Sequence, residues 1–250
     1  MPALIFDCDG VLADTERDGH LPAFNATFAE FGLPIRWDDA TYAEKLKIGG
    51  GKERIASDLA EAEGAPELIR RMHARKTEVF TQRVADGLLP GRPGIHRVIA
   101  AALERGWTVA VASTSAEPSV RAVLEHAVGA DLAARCQIFA GDIVPKKKPA
   151  PDIYLKVLAD LDLDPAECLV VEDSGIGLDA ARAAGLATLV TVSTYTGADD
   201  FSAASLVVDH LGDPGRPLSV IAARGGVRPD AMVTLADIEQ LFPTNQEETR

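Results

Sequence analysis

Short apolar runs alternate with amphipathic stretches along most of the chain. Runs of strand length occur at 3–6, 109–112, 169–171 and 189–192. Between them, apolar positions spaced three and four residues apart predict helices over about 94–104, 118–126, 153–161 and 176–184. This alternation predicts right-handed βαβ units and hence an α/β fold, in which a parallel sheet is flanked by helices on both faces.

Two carboxylates follow the first apolar run almost immediately. Asp7 and Asp9 stand at the end of a strand that the sheet would bury. An ionised carboxylate in apolar surroundings is costly unless it is neutralised or binds a cation, so a magnesium ion and a phosphoryl group would account for the pair. An Asp-Gly turn that closes a hairpin, formed by Asp9 and Gly10, is the structural alternative.

Hydroxyl groups follow the second run, and a lysine lies between prolines further along. Ser113 and Thr114 precede a helix predicted to begin near Pro118, where hydroxyls and main-chain N–H groups bind phosphate oxygens; such residues also cap helices without any ligand. Lys148 ends a run of three lysines and is followed by Pro149. A lysine held between prolines is positioned, whereas a lysine run is more often a solvated surface, and both interpretations stay open.

A second acidic pair follows the third run. Glu172 and Asp173 precede Gly175 and Gly177, and carboxylate oxygens are the ligands that Mg²⁺ prefers. The pair would equally serve as a helix entry with Asp173 or Ser174 as the N-cap. Ligands of parallel sheets bind beyond the carboxyl ends of the strands, so we expect all four polar segments to line one crevice.

Taken together, the four segments resemble the motifs of the haloacid dehalogenase superfamily of phosphatases in order, spacing and chemistry. The resemblance implies a Rossmann-like core in which Asp7 is the nucleophile that forms an aspartyl-phosphate and Asp9 is the general acid and base. It assigns Ser113 and the backbone of Thr114 to the phosphoryl group, and Lys148 to neutralising its charge. The presence of Asp9 argues against carbon–halogen cleavage, because a dehalogenase of this superfamily lacks that aspartate.

The same resemblance implies a magnesium cofactor. Its ligands would be the carboxylates of Asp7 and Asp173 and the main-chain carbonyl of Asp9, with water and a substrate oxygen completing an octahedron. Glu172 would be either a further ligand or a hydrogen-bond acceptor behind the ligands.

The segment between the first two motifs is far longer than one crossover helix requires. The resemblance implies an inserted helical cap domain at residues 15–90, with hinges near 13–16 and 89–93, and a catalytic core formed by residues 1–14 and 91–250. An amphipathic stripe of Leu21, Phe24, Phe28 and Phe31 agrees with a helix in the cap. Closure of such a cap excludes water from the site.

Several cations in this segment indicate an anionic substrate. A glycine-rich turn ending at Gly51 precedes Lys52 and Arg54, and Lys76 lies in a second basic cluster. Surface charges paired with nearby glutamates are the structural alternative. Because the chain carries a formal net charge of −13, cations that face an acid-lined crevice would attract a distal anionic group, for which a second phosphate is the natural candidate.

The glycine-rich turn and residues 8–20 resemble the CbbY-like branch in particular, which includes xylulose-bisphosphate phosphatases and is related to β-phosphoglucomutase. By this resemblance Glu16 and His20 contact sugar hydroxyls, and the three cap cations receive the distal phosphate. Glu117 and Pro118 stand near the position of a Lys-Asn pair in the mutase, which counts against a mutase. We therefore expect a magnesium-dependent phosphatase for xylulose 1,5-bisphosphate or a similar sugar bisphosphate, with a mutase of the phosphoglucomutase type and a non-catalytic sugar-phosphate-binding regulator as alternatives.

Composition adds the remaining expectations. The chain has 250 residues, is acidic and carries no basic stripe with interleaved aromatics, which argues against nucleic acid as a partner. No apolar run is long enough to span a membrane, and the first strand begins too early for a signal peptide. Three cysteines without metal spacing predict reduced thiols in the cytoplasm, or in an organellar stroma if a transit peptide was removed. We expect a monomer, a surface excursion at 212–230 before 234–242, and disorder at 244–250.

Overall fold

One sheet forms the centre of the molecule, for which the computed structural model describes residues 1–59 and 64–243. Its strands within this part of the chain are β1 (Ala3–Phe6), β2 (Thr108–Ser113), β3 (Gln137–Ala140), β4 (Cys168–Glu172), β5 (Ala187–Thr191), β6 (Leu206–Val208) and β7 (Val220–Ala223). They lie in the order β3-β2-β1-β4-β5-β6-β7, and β7, antiparallel to β6, completes an otherwise parallel sheet. The predicted α/β fold is therefore confirmed.

Helices cover both faces of the sheet. The described helices are α1 (Leu21–Glu30), α2 (Asp39–Lys45), α3 (Gly51–Leu59), α4 (Ala65–Ala85), α5 (Ile95–Glu104), α6 (Glu117–Val128), α7 (Ala130–Ala133), α8 (Asp152–Asp160), α9 (Gly175–Ala183) and α10 (Leu235–Leu241). Apolar residues of α5, α6 and α10 pack on one face, and those of α8 and α9 pack on the other.

Strand β1 is at the middle of the sheet and explains the apolar runs in the sequence. Leu4 and Phe6 point into the core beneath α5 and α6, whereas Ala3 and Ile5 point into the core beneath α8 and α9. All four side chains are fully buried. A strand that is covered on both faces needs apolar residues at every position, which produces a continuous run rather than an alternation.

Three strands were not predicted, and the expectation of a surface excursion at 212–230 is wrong in part. This segment contains β7, which pairs with β6. Strand β7 lies at the edge of the sheet and leaves Ile221 58% exposed, so its pattern lacks the continuous burial of a central strand. The opposite edge strand, β3, begins with an exposed Gln137. The predicted disorder at 244–250 lies outside the described residues.

Helices α1 to α4 and the preceding π-helical turn, Glu16–His20, form a helical insert between β1 and α5. We call residues 15–90 the insert. It has an apolar cluster of its own around Phe24, Phe28 and Trp37, with Phe31 packed at its edge. The predicted stripe of α1 is thereby buried within the insert.

The chain leaves the sheet for the insert and returns from it at one place. Ala13 bridges to Gly91 there. The neighbouring Arg92 donates hydrogen bonds to the main-chain carbonyls of Thr191 at 3.0 Å and Val192 at 2.7 Å, and to those of Gly10 and Asp209. One guanidinium therefore joins the turn after β1 to the ends of β5 and β6.

Two observations bear on the expectations drawn from composition. Cys8, Cys136 and Cys168 are buried free thiols. Within the described ranges, no helix combines the length and the apolarity that crossing a lipid bilayer requires.

Candidate active site

A buried ion pair lies where β1 and β4 end. The ammonium of Lys148 is 2.7 Å from Oδ1 of Asp7 and 2.7 Å from Oε1 of Glu172, and it donates a third bond to the carbonyl of Ala112 at 3.0 Å. Burial opposes the charge on Lys148, but Asp7 and Glu172 outweigh it and hold the pKa of this lysine well above its usual range. Lys148 is thus a fixed cation and not a solvated member of the lysine run.

Three carboxylates converge at this point. Asp7, Glu172 and Asp173 each offer an oxygen atom, and these oxygens all lie within 4.8 Å of one another. Burial raises the pKa of Asp7 to about 7, with Lys148 working against the shift. Burial also raises the pKa of Asp173 well above its usual range, and the charges of Glu172 and Asp7 add to the effect. A hard divalent cation would relieve this repulsion, so the donor set fits Mg²⁺.

Two glycines allow the acidic groups to lie this close to the backbone. Gly10 has a φ of 80°, and a Cβ atom there would stand 2.0 Å from Oδ2 of Asp173. A Cβ atom on Gly177 in α9 would stand 2.1 Å from the carboxylate of Glu172. Glu172 is fully buried and also accepts a hydrogen bond from the hydroxyl of Tyr154 at 2.5 Å.

Asp9 has a different environment from Asp7, although only one residue separates them. Its carboxylate accepts hydrogen bonds from the hydroxyl of Thr15 at 2.5 Å, Nε2 of His20 at 2.8 Å and the hydroxyl of Ser115 at 2.5 Å. Burial opposes ionisation, but His20 and the hydroxyl donors outweigh it and hold the pKa of Asp9 well below its usual range. Asp9 is therefore ionised at neutral pH in this arrangement.

Lys76 continues this network into the insert. Its ammonium lies 2.6 Å from Nδ1 of His20, so Nδ1 accepts from the lysine while Nε2–H donates to Asp9. Lys76 is buried against the rings of Phe24 and Phe80, with its ammonium 4.6 and 5.2 Å from the ring centres. Burial lowers the pKa of Lys76 to about 8, and the charge of Asp9 opposes the shift.

A second polar group of the insert is built around Tyr42. The buried hydroxyl of Tyr42 donates a short hydrogen bond to Glu16. Nη1 of Arg54 lies 3.3 Å from the same hydroxyl and 3.5 Å from Oε1 of Glu16, while its Nε donates to the carbonyl of Ile48 at 3.0 Å. We call Glu16, Tyr42 and Arg54 the insert triad.

These groups surround one cavity between the sheet and the insert, with about 790 Å³ of empty volume including the part open to solvent. The predicted residues that line it are Asp7, Asp9, Glu16, His20, Gly51, Arg54, Lys76, Thr114, Lys148 and Asp173. Ser113 lies beneath this surface: it is buried, and its hydroxyl accepts a hydrogen bond from the amide of Ser115 at 3.1 Å.

Lys52 occupies a neighbouring cleft. Its ammonium pairs with Asp142, which also pairs with Lys147 at 2.9 Å, and Lys147 lies 3.2 Å from Glu53. The side chain of Lys52 is 37% exposed. His73 separates this cleft from the main cavity and lines both. Burial, with the charges of the nearby lysines, lowers the pKa of His73 to about 3, so this ring is neutral.

The structure adds cavity residues to which the sequence analysis gave no role. Ser115 and Ser193 both follow ends of parallel strands, where the rule that found Asp7 and Asp173 also places them. The pattern gave no corresponding signal for Tyr195, because an isolated tyrosine in a loop resembles many surface aromatics.

The site thus combines a mostly parallel sheet with carboxylates and a buried lysine at the carboxyl ends of its strands. The model of the haloacid dehalogenase-like hydrolase family matches residues 1–185, and the chain belongs to this family. Within it, the chain is a phosphatase of the CbbY-like kind. It is 49% identical to a CBBY-like protein of Arabidopsis thaliana, over 85% of this chain and 70% of that protein. It is also 49% identical to the plasmid protein CbbY of Cupriavidus necator, over 87% and 89% respectively.

A solved structure shows the same likeness. The crystal structure of a CbbY mutant from Rhodobacter sphaeroides in complex with xylulose-(1,5)bisphosphate superposes with a TM-score of 0.79 at 41% identity. It covers 84% of this chain and 95% of the other. The predicted membership of the superfamily and its CbbY-like branch is confirmed.

Proposed function

We propose that this protein is a magnesium-dependent phosphatase that hydrolyses xylulose 1,5-bisphosphate, or a similar sugar bisphosphate, through an aspartyl-phosphate at Asp7. The observation that carries the proposal is the buried Asp7 carboxylate, held 2.7 Å from the ammonium of Lys148 and grouped with Glu172 and Asp173. The bisphosphate bound to the similar CbbY supports the choice of substrate.

In the first step, a carboxylate oxygen of Asp7 forms a bond to phosphorus while the bond from phosphorus to the sugar oxygen breaks. Asp9, which carries a proton once the departing oxygen displaces its hydrogen-bond donors, gives that proton to the departing oxygen. In the second step, Asp9 takes a proton from a water molecule, which attacks phosphorus and releases phosphate and the free carboxylate of Asp7. Lys148 offsets negative charge on Asp7 and on the phosphoryl group throughout. The phosphoryl oxygens would be held by the backbone of Thr114 at the cavity surface and by Ser113 directly beneath it.

Asp7, Asp173 and the carbonyl of Asp9 would hold Mg²⁺, with Glu172 engaged mainly by Lys148. When bound, Mg²⁺ would supply positive charge that favours the ionised form of Asp7 and withdraws electron density from the phosphoryl oxygens. The raised pKa of Asp7 supports this assignment, because a bound cation would favour the ionised form that a nucleophile requires.

The insert would act as a cap and would select the substrate. Lys76 and Arg54 would receive the distal phosphate in the cavity, with Gly51 at the turn beside them, and Lys52 would join them by leaving Asp142 in the neighbouring cleft. Glu16 and His20 would contact sugar hydroxyls. Lys76 and Arg54 of the insert line the same cavity as Asp7 and Asp173, which supports a substrate that carries an anionic group at each end. We propose that the protein is active as a monomer, in the cytoplasm or an organellar stroma.

The test measures phosphate release with and without Mg²⁺ on xylulose and ribulose 1,5-bisphosphates, β-glucose 1-phosphate, phosphoglycolate and hexose phosphates. We expect Mg²⁺-dependent release with a preference for xylulose 1,5-bisphosphate. Asp7→Asn should abolish it, whereas Asp18→Asn, an exposed carboxylate of the insert, should not. Normal activity in Asp7→Asn would refute the nucleophile. Conversion of β-glucose 1-phosphate without phosphate release would identify a mutase, and binding without turnover would identify a regulator.

A further inference from the structure

We propose that the turn formed by residues 193–196, which follows β5, couples the position of the insert to the metal-binding carboxylate Asp173, and that Tyr195 is the positioning residue that carries the coupling. The inference rests on the proposed metal site and concerns how the insert affects it. Consecutive residues of this turn contact the acidic cluster, the start of the insert and the insert triad.

Ser193 connects the turn to the acidic cluster. Its hydroxyl donates to Oδ2 of Asp173 at 2.6 Å. Thr196 holds Ser193 in place. Its hydroxyl oxygen accepts a hydrogen bond from the amide N–H of Ser193 at 2.9 Å and lies 3.1 Å from the hydroxyl of Ser193. The orientation of the Asp173 carboxylate therefore depends on where the turn places Ser193.

Thr194 connects the turn to the place where the chain enters the insert. Its amide donates to Oδ2 of Asp14 at 3.2 Å, and its hydroxyl donates a short hydrogen bond to the same oxygen. Asp14 directly precedes the insert. A displacement of the insert relative to the sheet acts on Thr194 through this carboxylate.

Tyr195 connects the turn to the insert itself. Its hydroxyl donates to Oδ1 of Asp39, the first residue of α2, at 2.7 Å. Its ring stands edge-on to Tyr42, with 5.8 Å between ring centres and 73° between planes. Tyr42 is the centre of the insert triad. The side chain of Tyr195 therefore supports helix α2 directly and, through Tyr42, the groups Glu16 and Arg54 that face the cavity.

Contacts at both ends of such a short turn cannot change independently. If the insert moves away from the sheet, Tyr195 loses its hydrogen bond to Asp39 and its ring contact with Tyr42. The turn then loses the support that holds Ser193 against Asp173. Substrate binding that draws the insert closed should therefore raise the affinity for Mg²⁺, and by reciprocity Mg²⁺ should favour closure. Tyr195 does this without touching the reacting atoms.

The experiment measures the Kd of Mg²⁺ by titration calorimetry and the KM of xylulose 1,5-bisphosphate, for Tyr195→Phe, Asp39→Ala and the double variant. Each single change should raise KM about threefold to tenfold, and the double variant should be no worse than the worse single one. Tyr195→Phe should also raise the Kd of Mg²⁺ about threefold, although Tyr195 contacts no carboxylate of the metal cluster. Ser193→Ala should raise that Kd about tenfold or more, and Ser193→Thr, which keeps the hydroxyl, should restore it.

Arg17→Met is the matched control, because Arg17 approaches the same Asp39 carboxylate from solvent, at 3.8 Å. It should leave both constants within twofold of the wild type. A Tyr195→Phe protein with an unchanged Kd for Mg²⁺, or additive effects of Tyr195→Phe and Asp39→Ala, would overturn the coupling. A wild-type protein that binds no Mg²⁺ and releases no phosphate would overturn the proposed function, and the coupling with it.

Discussion

Replacement of Arg92 by alanine should destabilise the protein more than any exposed arginine does. The guanidinium of Arg92 bonds to the main-chain carbonyls of Gly10, Thr191, Val192 and Asp209. These carbonyls belong to three separate parts of the chain, which meet where the chain returns from the insert to the sheet. Alanine would leave all four without this donor.

The magnitude follows from the number of bonds. A hydrogen bond to a charged group contributes about 1.5–3 kcal/mol, and an unsatisfied buried acceptor costs about 1–3 kcal/mol. Water can reach some of these carbonyls once the side chain is gone, and the cost of burying the guanidinium, which lowers the pKa of Arg92, is removed with it. We therefore count about 1 kcal/mol per carbonyl and expect a loss of about 3–4 kcal/mol, a large part of a typical stability. Arg92→Lys should lose roughly half as much, because one ammonium can serve fewer of the acceptors.

The assay is urea unfolding followed by tryptophan fluorescence, since Trp37 reports on the insert and Trp107 on the core. The midpoint should fall for Arg92→Ala with an unchanged slope, and both tryptophans should report one transition. Arg121→Ala, which removes an exposed pair with Glu117, is the control and should change stability by less than about 1 kcal/mol. An Arg92→Ala variant that is no less stable than this control would refute the reasoning.

Three further predictions concern the site. Lys148→Met leaves the carboxylates of Asp7 and Glu172 buried without their cation, so urea unfolding should show a loss of about 3–5 kcal/mol; protonation relieves the repulsion, so this loss should be larger at pH 8 than at pH 5.5. Lys76, with a pKa of about 8, is charged below that pH and neutral above it, so the KM for a bisphosphate should rise as pH increases through 8, by up to tenfold per unit, and Lys76→Met should abolish this dependence. Gly177→Ala places a Cβ atom 2.1 Å from the Glu172 carboxylate, so thermal unfolding should show a lower Tm and phosphate release should fall at least tenfold.

How much of the fold the sequence predicted depends on burial. Strands β1, β2, β4 and β5 lie inside the sheet with both faces covered, and their continuous apolar runs identified them. Strands β3 and β7 form the edges, where fewer positions are buried on both sides, and β6 is only three residues long. Such short or half-covered strands give no run that distinguishes them from a loop.

The site residues that the sequence predicted are those at the ends of the parallel strands. Asp7, Thr114 and Asp173 were predictable because a parallel sheet brings the ends of its strands together. For the helices of the insert, no comparable rule says which side chains face the cavity. Lys52 and Lys76 looked alike in sequence, yet Lys76 lies buried in the cavity while Lys52 pairs with Asp142 in the neighbouring cleft. Only the packing of α3 and α4 against the core separates the two.

The two aspartates of the first motif show why packing, and not residue type, sets the chemistry. Both are buried, but Asp7 lies among carboxylates and has a pKa of about 7, whereas Asp9 lies among donors and has a pKa well below its usual range. In the proposed mechanism the nucleophile must be ionised and the acid must carry a proton, whereas burial disfavours the ionised form of Asp7 and the donors around Asp9 disfavour its protonated form. A cation bound at Asp7 would favour its ionised form, and a leaving-group oxygen that displaces the donors of Asp9 would favour its protonated form. On this proposal, metal and substrate would each shift one of the two aspartates toward the state that the first step requires.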